Sequence, residues 1–441
     1  MNKAGYDSSI VIIAGSESYA FDIGRVASGL ANAFLVRYAP LGEFNGSTFE
    51  LHQFSGPKRT KIADLKVPLS TRGRVRWMTS RVPLFFVNTV AMAALAIRAT
   101  RLSKSDRTRT VGVGIGWGGA LICLLMKSLR LVGRIAYYRV DWFVPIQDNV
   151  YSSMSVGFFR NLDRLLSSQS DYVWNLTQAI GNKSLVAPRT KDECQPVIIP
   201  PIRARWVPAN AGTSQTHSPY FVYFGEVKQG CGLPLILQAI DILRRSGTRT
   251  ELRIIGRARP EYIEGLFGRF PDLFGEGYCK YLGPVNVGDS GEQEKLNAVI
   301  RSACAGLAVT PGGLSNTSNF ALQNRVMIYI ANCVPTIIND DSAVAKWISS
   351  RGLGMSVKPI PESIAGNLES LLGSEDLVKS LKSNIGDFLA KGESEDIMRE
   401  AIVALLNGTG VSNISSLVTK FEAPSWSAPG IGIASPTKSS S

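Results

Sequence analysis

The sequence predicts an α/β protein with two domains, each built on a doubly wound parallel sheet, and three observations lead to this. The chain has 441 residues, more than the roughly 250–300 that a single hydrophobic core usually holds. Residues 220–357 alternate short apolar strands with helical patterns, as a parallel sheet covered by helices does. The first 205 residues have a similar but less regular layout. We expect the two domains to face each other across a cleft.

The elements of the first half are predicted from apolar periodicity. In the first helix, Ile23, Val26, Leu30 and Phe34 fall on one face, at helical spacing. A glycine-rich segment at 116–119 separates a buried strand from the next helix. The predicted strands are 9–14, 34–38, 111–115, 134–140, 172–176 and 196–201, and the predicted helices are 22–33, 120–131 and 158–168.

The second half gives a cleaner pattern and the domain boundaries. Its predicted strands are 220–224, 251–255, 280–282, 306–309, 335–339 and 354–357, followed by helices near 360–372, 375–390 and 394–407. Residues 203–219 are rich in Pro, Asn, Gly, Ser and Thr, as linkers are. We therefore expect an N-terminal domain over 1–205, a linker over 206–219, a C-terminal domain over 220–408 and a final segment over 409–441. The Ser/Pro/Gly-rich tail is expected to be disordered from about residue 423.

Charge and composition narrow the function classes. The 48 Lys and Arg against 35 Asp and Glu give a net charge of +13, which favours anionic partners. Nucleic acid is disfavoured because no zinc-finger spacing, basic heptad or RNP-type motif occurs. The six cysteines stand singly, which indicates free thiols in a reducing compartment. His52 and His217 stand alone, so neither a His-rich metal site nor a Ser-His-Asp hydrolase is expected.

Two segments bear on membranes. The start of the chain lacks the features of a signal peptide, and the apolar run at 82–97 is shorter than the ~20 residues that span a bilayer, so a buried or surface-lying helix is predicted. Residues 56–86 combine eight basic side chains with three aromatic ones, which suits an anionic membrane surface; the alternative is a solvated loop before a core helix. The segment contains Lys58, Arg59, Lys61, Lys66, Arg72, Arg74, Arg76, Arg81, Trp77, Phe85 and Phe86. We expect a cytoplasmic protein, peripheral on the inner face of the membrane.

Three loops at the predicted carboxyl ends of strands in the second half have the composition of an anion site. Gly225 to Gly232 follows a strand and opens a helix, where backbone N–H groups can face a phosphate. Thr310 to Ser318 is built from small residues and precedes a helix; it is either a diphosphate cradle or an ordinary capped loop. The third segment, Gln323 to Ile338, contains Arg325, whose guanidinium can form a bidentate contact with a diphosphate.

The order of these loops resembles the C-terminal domain of GT-B glycosyltransferases of the group 1, family 4 type. Tyr223-Phe224-Gly225-Glu226-Val227, followed by the helix from Gly232, is similar to their opening strand and helix. Leu282-Gly283-Pro284-Val285 resembles their "flG-v" turn, and residues 325–338 resemble the element written K-x-x-E-Y-x-A-x-G-x-P-V-I. The resemblance covers 220–357 well and the first half by general layout. It implies two Rossmann-like domains and a nucleoside diphosphate sugar donor.

The sequence departs from the family pattern where the family holds its donor. Glu226 stands where Arg is usual, Cys231 where the Lys of a Lys-Gly pair is usual, and Ile328 where the helix Glu is usual. The partner acid falls on Phe320. Other cations must then serve, and Arg325 matches a motif position best. The predicted donor-binding residues are Gly225, Lys228, Arg257, Gly312, Gly313, Ser315, Asn316 and Arg325.

Asp141 is the predicted catalytic residue, because it ends a strand of the first half and some inverting GT-B enzymes place a base in such a loop. A carboxylate there can accept the proton of an attacking acceptor hydroxyl; the alternative is a loop Asp that caps or pairs with Arg139. The predicted function is a hexosyltransferase that needs neither metal nor cofactor. It would move a sugar to a lipid-linked or polysaccharide acceptor, in cell-envelope or exopolysaccharide synthesis.

Three other functions are weighed against this one. A non-catalytic homologue acting as a binding or scaffold subunit is suggested by the missing Lys and Glu. An epimerase of the same fold normally needs several carboxylates and a His in the cleft, and few are available. A Rossmann dehydrogenase is disfavoured because no G-x-G-x-x-G follows the first strand. The sugar, the nucleotide and the stereochemical outcome are not predicted.

Overall fold

The structure is a computed structural model that describes residues 7–15, 19–40, 47–56, 58–67, 81–103, 105–142, 150–182, 198, 200, 219–285, 290–311 and 320–409. Several predictions lie outside these residues: the linker at 206–218, the tail, Cys194, His217 and residues 71–80 of the basic segment. The side chains of Arg81, Phe85 and Phe86 lie outside them as well. Of the predicted strand at 196–201 only Ile198 and Pro200 are described, and neither is in a strand.

The first sheet has seven strands in the order β4-β3-β2-β1-β5-β6-β7. Strands β2, β1, β5, β6 and β7 are parallel, as predicted, whereas β3 and β4 add an antiparallel hairpin at one edge. The strands are β1 (Ser9–Ala14), β2 (Asn32–Pro40), β3 (Ser47–Ser55), β4 (Lys58–Val67), β5 (Thr110–Ile115), β6 (Arg134–Arg139) and β7 (Tyr172–Asn175).

The hairpin corrects one expectation about the basic segment. Residues 58–67 form strand β4 and not a surface loop, so Lys58, Arg59, Lys61 and Lys66 lie along the edge strand of the sheet. Charged side chains are common on edge strands, where they discourage pairing with another chain. The strand is difficult to predict because most of its residues are polar or charged: of its described side chains, only Ile62 and Ala63 pack against the core.

Helices cover both faces of the first sheet. On one face, α2, α3 and α4 lie in a single layer: α2 is packed on β1, β2 and β3, α3 is packed on β1, β5 and β6, and α4 is packed beside α3. On the other face lies α1. The helices of this half are α1 (Ala20–Ser28), α2 (Arg81–Ser103), α3 (Gly116–Ser128), α4 (Val150–Gln169) and α5 (Gln178–Gly181), with a short 3₁₀ helix at Arg107–Arg109.

The apolar run at 82–97 belongs to α2, a surface-lying helix of which one face is buried and the other is exposed. Met92, Leu95, Ala96 and Ala99 are buried against the sheet. Among the described helices, none is both long enough and apolar enough to cross a bilayer.

The second sheet is parallel throughout, with the strand order β10-β9-β8-β11-β12-β13. In this doubly wound order the succession of strands reverses between β8 and β11, and ligands bind at that switch point in such sheets. The strands are β8 (Tyr220–Phe224), β9 (Glu251–Ile255), β10 (Cys279–Gly283), β11 (Ala305–Ala308), β12 (Thr336–Asn339) and β13 (Gly354–Val357). The predicted α/β architecture with two doubly wound sheets is confirmed.

The helices of the second half follow from their sequence signals. In α6, Gly232 caps the N-terminus in a left-handed conformation, Pro234 lies in the first turn, and the buried face carries Ile236, Leu237 and Ile240. The helices are α6 (Leu233–Arg245), α7 (Pro260–Arg269), α8 (Pro271–Gly275), α9 (Ser290–Arg301), α10 (Asn324–Ala331), α11 (Ala345–Ser350), α12 (Pro361–Gly373), α13 (Glu375–Lys391) and α14 (Glu393–Asn407).

The last helix, α14, returns to the first half and packs against α1, β5 and β6. Arg134 Nη1 donates to the carbonyls of Leu405 and Leu406 at 2.9 and 2.6 Å, at the C-terminus of α14. A guanidinium suits this position because the carbonyls at a helix C-terminus lack helical partners and carry partial negative charge. Tyr172 donates to the carbonyl of Ala404 as well. These contacts tie the two halves together.

Candidate functional site

The carboxyl ends of β8 and β9 are pressed together through two glycines. Gly225 follows β8 with φ +145°, and Gly256 follows β9 with φ +149°. A Cβ on Gly256 would lie 1.7 Å from the carbonyl oxygen of Gly225. Beyond the strands the two chains stay paired, since Val227 N–H donates to the carbonyl of Arg257 at 2.8 Å. Both positions therefore require glycine. Gly256 is buried, and Gly225 is half-buried beneath the side chain of Arg325.

Substituting Gly256 by alanine is expected to destabilise the protein by at least about 2 kcal/mol, because the added methyl meets the Gly225 carbonyl and φ is positive. The shift is measured as the free energy of unfolding in urea. Gly366→Ala is the matched control: Gly366 lies in α12, and a Cβ added there would have nothing within 4 Å. That change should stabilise by roughly 0.5–1 kcal/mol. Equal effects of the two substitutions would contradict the close approach.

Arg325 lies directly over Gly225, the glycine that follows β8. Its Cζ is 4.7 Å from the centre of the Tyr223 ring and 3.5 Å from the position that a Cβ on Gly225 would take. Nη1 is buried and has no hydrogen-bond partner among the described residues. A buried guanidinium N–H without a partner costs free energy, and an anion at this position would remove that cost.

Tyr329 fixes α10, and with it Arg325 one turn earlier. Its ring lies flat over Gly306, where a Cβ would be 2.4 Å from the ring atoms. Its hydroxyl accepts the Phe224 N–H at 2.9 Å, which ties the helix to the end of β8. Burial raises the pKa of Tyr329 to about 12, so the hydroxyl keeps its proton. The guanidinium is therefore carried on a rigid element.

Two further polar residues at this edge were not predicted from the sequence. Asn339, at the end of β12, bonds both the N–H and the carbonyl of Thr310 at 2.9 Å. Gln323, just before α10, donates to the Ala308 carbonyl at 3.2 Å, while its buried Oε1 has no partner among the described residues. Asn339 therefore holds the start of the connection between β11 and α10, and Gln323 ties the end of that connection to β11. An amide at a strand end is a sequence signal, but it is too common to single these two out.

The other predicted donor-binding residues divide into three groups. Lys228 is in the β8–α6 loop, but its ammonium forms a salt bridge with Glu226, and the two side chains are 62% and 61% exposed. The side chain of Arg257 is exposed, beside the glycine pair. Gly312, Gly313, Ser315 and Asn316 lie outside the described residues. The structure thus brings Gly225 and Arg325 into direct contact and leaves Lys228 and Arg257 at the rim.

An apolar recess opens beside the glycine pair, between the ends of β9 and β10 and helix α9. Its volume is about 150 Å³, large enough for one planar ring. The wall contains the predicted turn Leu282-Gly283-Pro284-Val285, whose Gly283 carbonyl accepts the Gly256 N–H at 2.9 Å. The residues lining it are Ile255, Leu282, Pro284, Val285, Glu292, Lys295, Leu296 and Val299.

In the first half, Asp141 follows β6 at the carboxyl edge of its sheet and is half-buried. Two residues earlier, Arg139 is fully buried in a polar network. Its Nε and Nη2 each donate to Asp163 of α4 at 3.0 Å, and Nη1 donates to Asn175 at 3.1 Å. Tyr137 also donates to Asp163 at 2.8 Å. Burial, with the charge of Asp163, holds the pKa of Tyr137 well above its usual range. The network anchors the strand that carries Asp141.

The carboxyl edges of the two sheets meet. Thr177, just after β7, donates its hydroxyl to the carbonyl of Phe320, at the end of the β11–α10 connection. Trp142, Leu176, Phe320 and Leu322 belong to one continuous apolar cluster. Asp141 and Arg325 therefore stand on edges that face each other. Within the described ranges, no three His, Cys, Asp or Glu side chains gather as metal ligands.

Solved structures that resemble the protein share its fold. No protein-family model and no curated protein matches the sequence. A UDP-forming α,α-trehalose-phosphate synthase from Burkholderia xenovorans is 12% identical, covers 91% of this chain and 99% of its own, and has a TM-score of 0.61. The E. coli trehalose-6-phosphate structure bound with UDP-2-fluoro glucose is 12% identical over 90% and 99%, with a TM-score of 0.62. Anabaena Alr3699/HepE in complex with UDP is 10% identical over 91% and 100%, with a TM-score of 0.58.

Because the similarity extends over nearly the whole of each chain, it concerns the arrangement of both domains. The protein has the GT-B fold of two Rossmann-like domains, as the sequence motifs indicated. At 10–12% identity the likeness shows the fold alone.

Proposed function

We propose that the protein is a hexosyl-type glycosyltransferase that takes its sugar from a nucleoside diphosphate donor. One observation carries this: the guanidinium of the half-buried Arg325, whose buried Nη1 has no partner among the described residues, lies against the backbone of Gly225 at the switch point of the second sheet. A planar guanidinium pairs with two phosphate oxygens at once. Glycine lets the diphosphate approach the backbone closely. The solved structures of the same fold that contain UDP or a UDP sugar support the proposal.

The apolar recess beside the glycine pair is proposed to take the nucleobase. Leu282, Pro284 and Val285 offer flat apolar contact to a planar ring, and Lys295 and Glu292 lie among the lining residues where polar groups set base specificity. Gly283 and Gly256 are hydrogen-bonded to each other, so the recess and the diphosphate site share one backbone. A nucleotide would then extend from the recess to Arg325.

The chemistry follows from the charges. As the anomeric carbon–oxygen bond breaks, negative charge grows on the departing diphosphate, and Arg325 together with the N-terminus of α10 stabilises it. Asp141, on the facing edge, accepts the proton from the acceptor hydroxyl that attacks the anomeric carbon. In this proposal the cationic role belongs to Arg325, and neither a metal nor a cofactor besides the donor takes part.

The acceptor is proposed to be lipid-linked or a polysaccharide, in cell-envelope or exopolysaccharide synthesis at the inner membrane face. The net charge of +13 and the basic edge strand β4 support an anionic surface nearby. Membership of the group 1, family 4 type remains a prediction.

Titration calorimetry with UDP-, GDP- and dTDP-sugars tests the donor site. The wild type should bind one nucleotide class, and Arg325→Ala should weaken that binding about 10–100-fold, because it removes a charge-assisted bidentate contact. Arg325→Lys keeps the positive charge but loses the planar guanidinium, so its donor affinity should fall between those of the wild type and Arg325→Ala. Arg249→Ala, an exposed arginine of the same domain, should bind as the wild type does. Unchanged donor affinity in Arg325→Ala would remove Arg325 from the site.

A scaffold subunit is the second candidate. It is favoured by Glu226, Cys231 and Ile328, which stand where related enzymes carry donor-holding side chains, and by the salt bridge that occupies Lys228. The same calorimetry decides, because a scaffold should bind none of the sugar nucleotides. Binding followed by release of the nucleoside diphosphate in the presence of an acceptor would exclude it.

A further inference from the structure

We propose that the outer face of α2, α3 and α4 is a docking surface for an anionic phospholipid bilayer. We call it the α2–α4 face. These helices form one layer on the first sheet, and the layer on the other side contains α1 and α14. Docking of this face on a membrane is independent of the proposed transferase activity, because vesicle binding is measured without donor or acceptor.

The first observation is the apolar side chains that this face exposes. Six of the eleven large hydrophobic residues that are exposed within the described ranges lie on these three helices or directly after α3. Val90 is 69% exposed and Leu129 is 53% exposed. Single exposed leucines are ordinary, but a set on neighbouring helices marks an interaction surface. The six are Val90, Leu102, Leu125, Leu129, Phe158 and Leu165.

The second observation is the charge of the same face. The sequences of α2, α3 and α4 contain one acidic residue, Asp163, and it is buried against Arg139. The exposed charges between the apolar side chains are therefore basic: Arg98, Arg101, Arg130 and Arg164. Lys127, on α3, differs from these arginines because it forms a salt bridge with Asp171 at 2.7 Å. A solvated surface usually mixes both signs of charge.

The layer on the other side of the sheet, which contains α1 and α14, differs from the α2–α4 face because it carries several acidic residues. The first turn of α14 alone carries Glu393, Glu395 and Asp396, and α1 carries Asp22. The positive charge is thus concentrated on one side of the domain. Exposed apolar groups interleaved with arginines are the composition of surfaces that lie on anionic lipid, where each basic residue near the headgroups strengthens binding and the apolar groups enter the acyl boundary.

The same charges argue against a second copy as the occupant. In an isologous dimer the α2–α4 face would meet itself and bring arginines against arginines. The strand β4, with Lys58 and Lys66 exposed, contacts α2 at the edge of the same sheet and extends the basic surface. Strand β4 is part of the basic segment at residues 56–86. Within this strand, Lys61 forms salt bridges with Glu50 and Asp64.

Flotation of the full chain with vesicles tests the surface. One vesicle type contains equal parts of phosphatidylglycerol and phosphatidylcholine, and the other contains phosphatidylcholine alone. The wild type should bind the first and not the second, and added salt should weaken the binding. A charge variant, Arg98→Glu, Arg101→Glu and Arg164→Glu, should lose affinity roughly 100-fold or more. An apolar variant, Leu125→Ser, Leu129→Ser and Phe158→Ser, should lose it roughly tenfold or more.

Matched variants elsewhere on the molecule serve as controls. Arg249→Glu, Lys346→Glu and Lys391→Glu remove exposed cations of the second half, and Phe267→Ser, Ile360→Ser and Val403→Ser remove exposed apolar groups there or on α14. Both sets should bind as the wild type does, with unfolding midpoints confirming that all variants fold. The proposal is overturned if the controls lose as much affinity, if the face variants lose none, or if the wild type binds neither vesicle. Self-association through this face without vesicle binding would overturn it as well.

Discussion

Replacing Asp141 by asparagine is expected to lower kcat by about 10²–10⁴, with donor affinity unchanged. The amide keeps the size of the carboxylate but cannot accept the proton of the attacking hydroxyl. Asp141 stands at the carboxyl edge of the first sheet, and the Thr177–Phe320 hydrogen bond shows that this edge meets the edge carrying Arg325. The rate is measured under saturating donor, and donor binding is measured by calorimetry on the same variant.

Two comparisons make this result specific. Asp64→Asn changes an exposed carboxylate of β4 and should leave turnover intact. The acid limb of the pH–rate profile, where the base is protonated, should be present in the wild type and absent from Asp141→Asn. A variant that keeps its turnover would remove the base role and would leave the donor site as an independent question.

Replacing Asp163 by asparagine is expected to cost about 3–5 kcal/mol of stability, the largest such effect we expect. The change leaves the fully buried Arg139 guanidinium without its counter-charge, since Nε and Nη2 both bond this carboxylate. Burial makes an uncompensated charge far more costly than the loss of one hydrogen bond. The measurement is the free energy of unfolding in urea, followed by circular dichroism.

Asp64→Asn is again the control, because its salt bridge with Lys61 is exposed and should contribute less than about 1 kcal/mol. The double variant Arg139→Met with Asp163→Leu removes both charges and should recover much of the loss. If Asp163→Asn costs no more than Asp64→Asn, the pair does not anchor β6. Arg139 lies two residues before Asp141, so Asp163→Asn should disturb the position of Asp141 and lower kcat as well.

The second half could be predicted almost element by element, and the reason is local. Each of its strands is a short apolar run with turn signals on both sides, and a parallel sheet buried on both faces needs such runs. Arg325 was singled out because it matches a position of the family motif and can offer a bidentate cation to a diphosphate. Lys228 has the same local signals, but Glu226 lies within reach of its ammonium, and pair formation between exposed side chains cannot be foreseen from spacing.

The first half was harder because its features depend on partners far away in sequence. The glycine-rich segment at 116–119 was expected to separate strand and helix, yet it forms the first turn of α3. Glycine is a poor helix former, but a Cβ on Gly119 would lie 2.3 Å from the Ile13 carbonyl. The close packing of α3 on β1 therefore selects glycine and overrides its propensity. The pairing of Arg139 with Asp163, rather than a pairing foreseen with Asp141, is likewise a long-range contact.

The sequence by itself determined the α/β class, the parallel strands of both sheets, the order of the loops in which the donor site is predicted, and the position of Arg325 among them. These follow from periodicity and turn chemistry, which act over a few residues. Only the tertiary structure decided that Gly225 lies between Gly256 and Arg325, that β4 completes a hairpin, and that α2, α3 and α4 share a basic, apolar face. Such features arise where strands and helices distant in the chain are packed together, and their energies depend on burial that no local pattern records.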